Sequence, residues 1–202
     1  MRQPSLILGI TGSIASGKSL VAGAFEQRGA ALVSADQLAR EIVRPGSDIL
    51  SRLVGRFGDE ILTASGTLDR ERLSQIVFSD PQARADLNRI THPAIARLAI
   101  ERLRSLAGSD VPLVVYEAPL LFEANAENRV DRVLVVKIAP DIQLQRLMLR
   151  DGLSESDARQ RVATQMDQEA KLARADYVID NSRGRNATLE QVERLWQQLV
   201  DA

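Results

Sequence analysis

The sequence has no cysteine, which excludes disulfides, thiolate metal sites and a cysteine nucleophile, and is compatible with a reducing cytoplasm. Basic and acidic residues nearly cancel, leaving a net charge of −1 over 202 residues. No basic field advertises nucleic acid or an anionic membrane, so any cationic site has to be a local cluster. No apolar run approaches the length of a membrane span. The apolar run within Met1 to Ile10 is too short for a secretory signal and ends in a glycine-rich turn. Internal repeats and low-complexity tracts are missing as well. Lysine is scarce, with only Lys18, Lys137 and Lys171, and His92 is the single histidine. What remains is a chain of one domain's length, 45% hydrophobic, enough for a substantial core.

One of the three lysines sits in Gly12-Ser13-Ile14-Ala15-Ser16-Gly17-Lys18-Ser19, which fits the phosphate-loop pattern G-x-x-x-x-G-K-[ST]. The short apolar run Leu6 to Ile10 before it reads as a buried strand, and Leu20 to Glu26 after it reads as a helix. Strand, glycine-rich loop and helix form the setting this motif requires. Glycines at 12 and 17 let the backbone turn tightly and approach a ligand. The loop's N–H groups then form a nest for anionic oxygens, with the positive end of the helix dipole behind them. Nucleotide contacts are expected from Gly12 through Leu20. Lys18 should reach the β- and γ-phosphates of ATP, and the Ser19 hydroxyl should hold Mg²⁺.

Along the rest of the chain, buried strands are predicted at 31–33, 111–116, 133–136 and 177–179, alternating with helices. That pattern implies a parallel α/β sheet with helices on both faces. Between the second and third strands, residues 47–106 read as helix after helix, too much for one crossover connection. They suggest a helical insertion forming one wall of a cleft, with a helix break or kink at Pro93. A helix from Pro140 ends at Gly152. Ser154-x-x-Asp157 reads as a capping box for the next, which carries Arg159, Arg161 and Gln165. Thr188-x-x-Gln191 reads as the cap of the last helix, whose Leu189, Val192, Leu195, Trp196 and Leu199 form a packing stripe.

Five further residues carry possible chemistry. Asp36 follows the second strand at the edge where open parallel sheets bind ligands, or it is a helix N-cap. Glu117 ends the third strand like the second acidic motif of phosphate-loop enzymes, which holds Mg²⁺ through water, or it simply faces solvent. His92 is fixed at a corner by Pro93 and is either a substrate-side group or a helix-end residue bonded to backbone. Arg146 and Arg150 lie one turn apart on one helix face. They suit a lid that brings cations over phosphates, while the other basic residues of 140–174 read as a solvated, salt-bridged hairpin.

Taken together, Ile10-Thr11-Gly12 with the phosphate loop, Ser34-Ala35-Asp36, Ala39-Arg40-Glu41-Ile42-Val43, His92-Pro93, Pro119-Leu120-Leu121-Phe122-Glu123, Arg146 to Ser154, Gln165 and Ala175 to Asn181 resemble the dephospho-coenzyme A kinase family nearly end to end. The phosphate loop is shared by many families; the Ala-Asp pair, the His-Pro corner and the Pro-Leu-Leu-Phe-Glu segment are more particular. Ser34, Glu117-Ala118 and the delayed Gly184 depart from the family's commoner residues. The resemblance implies a P-loop NTPase fold, a three-layer α/β/α sandwich on a five-stranded parallel sheet. It divides a single domain into a nucleotide-binding core (1–46, 107–139, 175–202), a helical coenzyme A-binding insertion (47–106) and a lid (140–174). It also implies ATP- and Mg²⁺-dependent phosphorylation of the ribose 3′-hydroxyl of dephospho-coenzyme A. Asp36 matches the family's general base, Lys18 its phosphate lysine and Arg150 a lid arginine. Arg146 and Asn181 fall near the adenine of ATP. Arg40, His92, Pro119 and Leu120 are expected on the acceptor side with Asp36, and Ser19 and Glu117 at the metal. A cytoplasmic monomer or weak oligomer without nucleic-acid or membrane partners is expected. The rival acceptors are a nucleoside monophosphate or a sugar acid. A guanine switch is disfavoured because neither Asn-Lys nor Asp-x-x-Gly occurs.

Overall fold

A computed structural model of the chain describes residues 4–200. The chain divides into two compact units, Met1–Ser34 with Arg102–Ala202, and Ala35–Glu101. The first is built on five parallel strands, β1 (Ile7–Thr11), β2 (Ala31–Ser34), β3 (Val114–Glu117), β4 (Arg132–Lys137) and β5 (Tyr177–Asp180), in the order β2-β3-β1-β4-β5. The strands are short β-branched and apolar runs, and Leu8, Ile10, Val115, Leu134 and Val136 are wholly buried, as strands covered on both faces must be. β1 lies in the middle. Its Ile10 pairs with Glu117, which also pairs with Ser34 of β2. The carboxyl ends of three strands therefore finish level, and the phosphate loop leaves the central one.

The flanking helices of this unit are α1 (Lys18–Glu26), the end of a long α5 (Pro81–Ala107), α6 (Pro140–Asp151), α7 (Glu155–Ala163), α8 (Gln168–Leu172) and α9 (Arg185–Val200). Phe25 of α1 packs against Trp196 of α9, with ring centroids 6.3 Å apart. Val192 and Leu195 complete the stripe read from the sequence, and Leu189 and Leu199 pack beside it. The cap expected of this helix is different. α9 starts at Arg185, so Thr188 lies inside it; the Thr188 hydroxyl donates to Asn181 Oδ1 (2.7 Å), and Gln191 brackets the main chain of Asp180. Both side chains find partners in the turn after β5, which outcompete a capping geometry. Ser154 does accept from the Asp157 N–H, but the Asp157 carboxylate takes the Ser154 hydroxyl and leaves the reciprocal half of the capping box unmade. Gln165 lies beyond the end of α7, not on it.

The second unit is helical: α2 (Ala35–Glu41), α3 (Asp48–Phe57), a 3-10 turn (Asp59–Ile61), α4 (Arg70–Ser79) and most of α5. Ser47 and Asp69 cap α3 and α4 by accepting from the N–H groups of Leu50 and Arg72. Its core gathers Val43, Leu53, Phe57, Ile61, Leu73, Ala83 and Ile90. Of the break or kink expected at Pro93, the break does not occur; α5 runs as one helix of 27 residues. Proline removes one intrahelical bond, but Ile90 and Ala94 on either side of it are buried, and that burial holds the two halves in one helix.

Candidate active site

The phosphate loop owes its shape to two glycines. Gly12 has φ +152°, and a Cβ there would lie 2.5 Å from the Val136 carbonyl oxygen. Gly17 has φ +89°, and a Cβ there would lie 2.1 Å from Asn181 Nδ2. No L side chain fits at either position. Lys18, the first residue of α1, is nearly buried and its ammonium donates to the carbonyl oxygens of Gly12 (3.0 Å) and Ser13 (2.9 Å). An ammonium resting on carbonyls at the mouth of the loop is a point charge stationed where an anion would arrive.

Next to it, Ser19 Oγ donates to Glu117 Oε1 at 2.7 Å. The last residue of β3 thus reaches the first turn of α1, because β1 and β3 are paired neighbours that end together. A hydroxyl and a carboxylate in contact are hard oxygen donors of the kind that hold Mg²⁺ beside phosphates and water. Among the described residues there is no group of three or more acidic or histidine side chains that could hold a metal, so protein oxygens alone form no cage. That pair fits an ion whose remaining ligands come from a nucleotide and water.

A cavity of about 520 Å³ opens beside the loop, lined by Ala15, Gly17, Lys18, Ser19, Arg146 and Arg150 among others. Arg146 donates to the main-chain oxygen of Asn181 (3.1 Å). The Arg150 guanidinium is forked onto Asp151 (2.7 and 3.0 Å), and that hydrogen bond holds its pKa above the ordinary arginine value. Asp151 also accepts from Arg161 and is held below the usual carboxylate range, first by Arg150. The remaining basic residues of 140–174 are engaged elsewhere: Arg159 with Glu155, and Arg174 with Glu127 and over the Phe122 ring. Lys171 departs from the solvated hairpin expected for it. It is wholly buried, paired with Glu123 at 2.8 Å and 3.3 Å from the Pro119 carbonyl oxygen. Burial pushes the Glu123 carboxyl up, but the hydrogen bond and charge of Lys171 together with main-chain N–H donors, Met166 among them, outweigh it, and the group ends below its ordinary value.

Of the other predicted residues, Pro119 stands two residues past β3, and its carbonyl oxygen also accepts from Thr11. Leu120 is half exposed. Asn181 is buried, and its side chain is committed to the loop and its surroundings: Nδ2 donates to the Ser16 carbonyl oxygen (2.8 Å) and Oδ1 accepts from Thr188. In the helical unit, Asp36 and Arg40 are exposed on α2. Asp36 lies in the first helical turn instead of at the cap, two residues beyond the end of β2. His92 is exposed and lines a cleft of about 300 Å³ with Ala39, Arg70, Asn88 and Thr91. Burial, and then the charge of Arg40, hold Arg70 below the ordinary arginine value.

Two glutamines were not singled out from the sequence as site residues. Gln143 Nε2 donates to the Ile14 carbonyl oxygen (2.8 Å), and Gln165 Oε1 accepts from the Ile14 N–H (2.7 Å). A signal for the first existed: Gln143, Arg146 and Arg150 are spaced i, i+3, i+7 and share a helix face. Gln165 belongs to the segment that carried the family resemblance, but nothing in its neighbourhood predicts its partner.

The parallel sheet, the loop on its central strand and the cationic cavity beside it define a phosphate-loop nucleotide-binding protein. The family model described as dephospho-CoA kinase matches residues 6–186. A dephospho-CoA kinase of Syntrophotalea carbinolica is 57% identical over 96% of this chain and 92% of its own length. One of Geobacter sulfurreducens is 50% identical over 93% of each. The solved dephospho-CoA kinase of Campylobacter jejuni superposes with a TM-score of 0.70 at 27% identity, over 98% of this chain and 99% of that one. The chain belongs to the dephospho-CoA kinase family.

Proposed function

We propose that this chain transfers the γ-phosphoryl group of ATP to the ribose 3′-hydroxyl of dephospho-coenzyme A, with Asp36 as the base and Lys18 and Arg150 as the charge-stabilising cations. The reaction class follows from family membership; the assignment of residues rests on one observation above others. Lys18, Ser19, Arg146 and Arg150 line one cavity of about 520 Å³ beside the loop, and Glu117 is bonded to Ser19 there. A nucleoside monophosphate or sugar acid as acceptor finds no support in those matches.

Phosphoryl transfer asks for positioning and charge stabilisation more than for a strong base. Asp36 orients the acceptor hydroxyl and takes its proton late in transfer. Lys18 keeps the Ser13 carbonyl, which stations it, and turns its other N–H donors to phosphate oxygens, which are better partners for an ammonium than the Gly12 carbonyl. Arg150 presents its guanidinium from a position fixed by Asp151, and Arg146 flanks the nucleotide. Asn181 lies on the adenine side of the nucleotide, where its side chain holds the loop and its carbonyl holds Arg146. Ser19 and Glu117 would hold Mg²⁺, which when bound would offset phosphate charge. The segment 140–174 acts as a lid that keeps water from competing as acceptor. The helical residues 47–106, together with Arg40, His92, Pro119 and Leu120, grip the acceptor. Neighbouring guanidinium groups at Arg40 and Arg70 favour an anionic ligand such as a diphosphate. No helix among the described residues is long and apolar enough to cross a membrane; we further take the chain as a cytoplasmic enzyme working as a monomer or weak oligomer.

The test is coupled ADP release with ATP and Mg²⁺ against a panel of dephospho-coenzyme A, adenosine monophosphate and gluconate. Turnover should be confined to the first; faster turnover with either of the others would replace the acceptor. Asp36→Asn should bind ATP as the parent does and turn over at least about 100-fold more slowly. Parent-like turnover in that variant would move the base elsewhere.

A further inference from the structure

We infer that Gln143 and Gln165 are positioning residues of the phosphate loop, each aiming one of the two peptide planes that meet at Ile14. Both polar main-chain groups of Ile14 are taken by glutamine side chains from different segments. Gln143, buried in α6, donates to its carbonyl oxygen at 2.8 Å; Gln165, after α7, accepts from its N–H at 2.7 Å. The two bonds assign the amides without ambiguity, since a carbonyl can only accept and an N–H can only donate.

Their consequence follows from peptide geometry. No peptide bond among the described residues is cis, and in a planar trans peptide the C=O and the following N–H point in opposite directions. Gln165, by holding the N–H of Ile14, fixes the carbonyl of Ser13 on the far side of that plane. That carbonyl is one of the two on which the Lys18 ammonium rests, at 2.9 Å, and it also accepts from the Ser16 N–H at 3.1 Å. Gln143, by holding the carbonyl of Ile14, turns the N–H of Ala15 the opposite way, and Ala15 lines the cavity beside the loop. Ala15 has φ +60°, a left-handed conformation that a residue with a side chain keeps only where its surroundings over-determine it. Gln165 thus governs the lysine's resting place and Gln143 governs a backbone donor.

The supports of the two glutamines differ. Gln143 shares its helix face with Arg146 and Arg150, so the helix that carries the cavity's arginines also holds the loop. Gln165 precedes Met166, whose N–H donates to Glu123 Oε1 (3.1 Å), the oxygen paired with buried Lys171. The buried ion pair therefore anchors the residue that braces the loop, which gives Lys171 a reason to be where it is.

The inference rests on the ATP-binding reading of the loop but not on the identity of the acceptor, so ATP affinity is measured first, without acceptor, and turnover with dephospho-coenzyme A second. Gln143→Met should weaken ATP binding about tenfold while turnover at saturating ATP falls less than about threefold. Gln165→Met should do the reverse, lowering turnover about tenfold with a smaller loss of ATP affinity, because it frees the carbonyl that stations Lys18. Gln143→Glu and Gln165→Glu add the same charge beside the same peptide, but only the second keeps a group able to make its bond. Gln143→Glu should therefore weaken ATP at least about fivefold more than Gln165→Glu. Parent-like binding and turnover in both methionine variants would overturn the inference. So would equal effects from the two glutamates, or a turnover loss at unchanged ATP affinity that tracks a lowered melting temperature in both methionine variants. If the buried Gln143 variants fail to fold, the Gln165 pair decides alone: Gln165→Glu must keep more turnover at saturating ATP than Gln165→Met. Absence of turnover in the parent with intact ATP binding would count against the acceptor and leave the clamp standing.

Discussion

The two compact units put their buried polar side chains to different uses. In the sheet unit, Thr11, Lys18, Gln143, Lys171, Asn181 and Thr188 are all buried. Each bonds the phosphate loop, the Pro119 carbonyl or the turn after β5. In the helical unit the buried polar residues among those described are Asp86 and Thr91. Asp86 joins Arg56 of α3 to Arg89 of its own helix, and Thr91 bonds the Leu87 carbonyl one turn back. Desolvating a polar group costs free energy that a hydrogen bond at best offsets. The sheet unit accepts that cost to hold a backbone in a shape it would not otherwise keep. The helical unit incurs it at Asp86 and Thr91 only to tie helices together or bond within one, and relies mainly on apolar packing. Site geometry should therefore be sensitive to polar substitutions in the first, and overall stability to apolar ones in the second.

The sharpest way to break that contrast pits a core residue against a buried charge. Ile61 is wholly inaccessible in the helical unit's core. Ile61→Ala should cost about 3 kcal/mol of stability, from lost burial plus the cavity left behind, with ATP affinity of the folded protein unchanged. Chemical denaturation with a parallel ATP titration checks both halves. Lys171→Met in the sheet unit should cost less, about 2 kcal/mol, because Glu123 retains some solvent access when its partner is lost. Its effect on turnover should nonetheless exceed that of Ile61→Ala, since it frees the segment that carries Gln165. Equal turnover in the two variants would show that the buried pair serves stability alone.

The same contrast explains how much could be read from the residues. The phosphate loop, its strand and its helix were legible because the chemistry is contiguous: glycine where a Cβ would collide, lysine at the helix start. The run of helices over 47–106 and the apolar stripe of the last helix were legible too, whereas the caps at Ser47 and Asp69 emerge only in the structure. The clamp on the loop was not, because its bonds join residues 151 and 129 positions apart, and a glutamine in a polar stretch looks like any solvated side chain. Lys171 was misread for the same reason, since burial of a charge depends on a partner found only in three dimensions. Thr188 as a cap and Pro93 as a helix break failed differently. Local rules for caps and breaks were correct as tendencies, but the turn after β5 and the burial around Ile90 and Ala94 outweighed them.

A smaller effect separates the units by pH. Asp86 lies below the usual carboxylate range, held there first by the hydrogen bond from Arg89 and then by Arg56. In the unfolded chain the same group returns to its ordinary value near 3.8. A carboxyl whose folded pKa is depressed binds its proton in the unfolded state first, so its contribution is complete above that ordinary value and is lost as pH falls through the lower, folded one. Asp151, depressed by Arg150 and Arg161 in the sheet unit, has the same sign and the same window. The difference lies in what each holds: Asp86 ties α3 to α5 across the helical unit's packing, whereas Asp151 ties neighbouring helices in the segment beside the nucleotide cavity. Asp86→Asn should therefore flatten the acid limb of the stability curve below about pH 4 and leave ATP binding at neutral pH as it was. Asp151→Asn should flatten that limb too, but it should also weaken ATP binding at neutral pH by releasing Arg150 from its fixed orientation. Melting curves across the acid range with one neutral ATP titration per variant distinguish the two, and an Asp151→Asn protein with parent-like ATP affinity would place Arg150's orientation under the control of some other group.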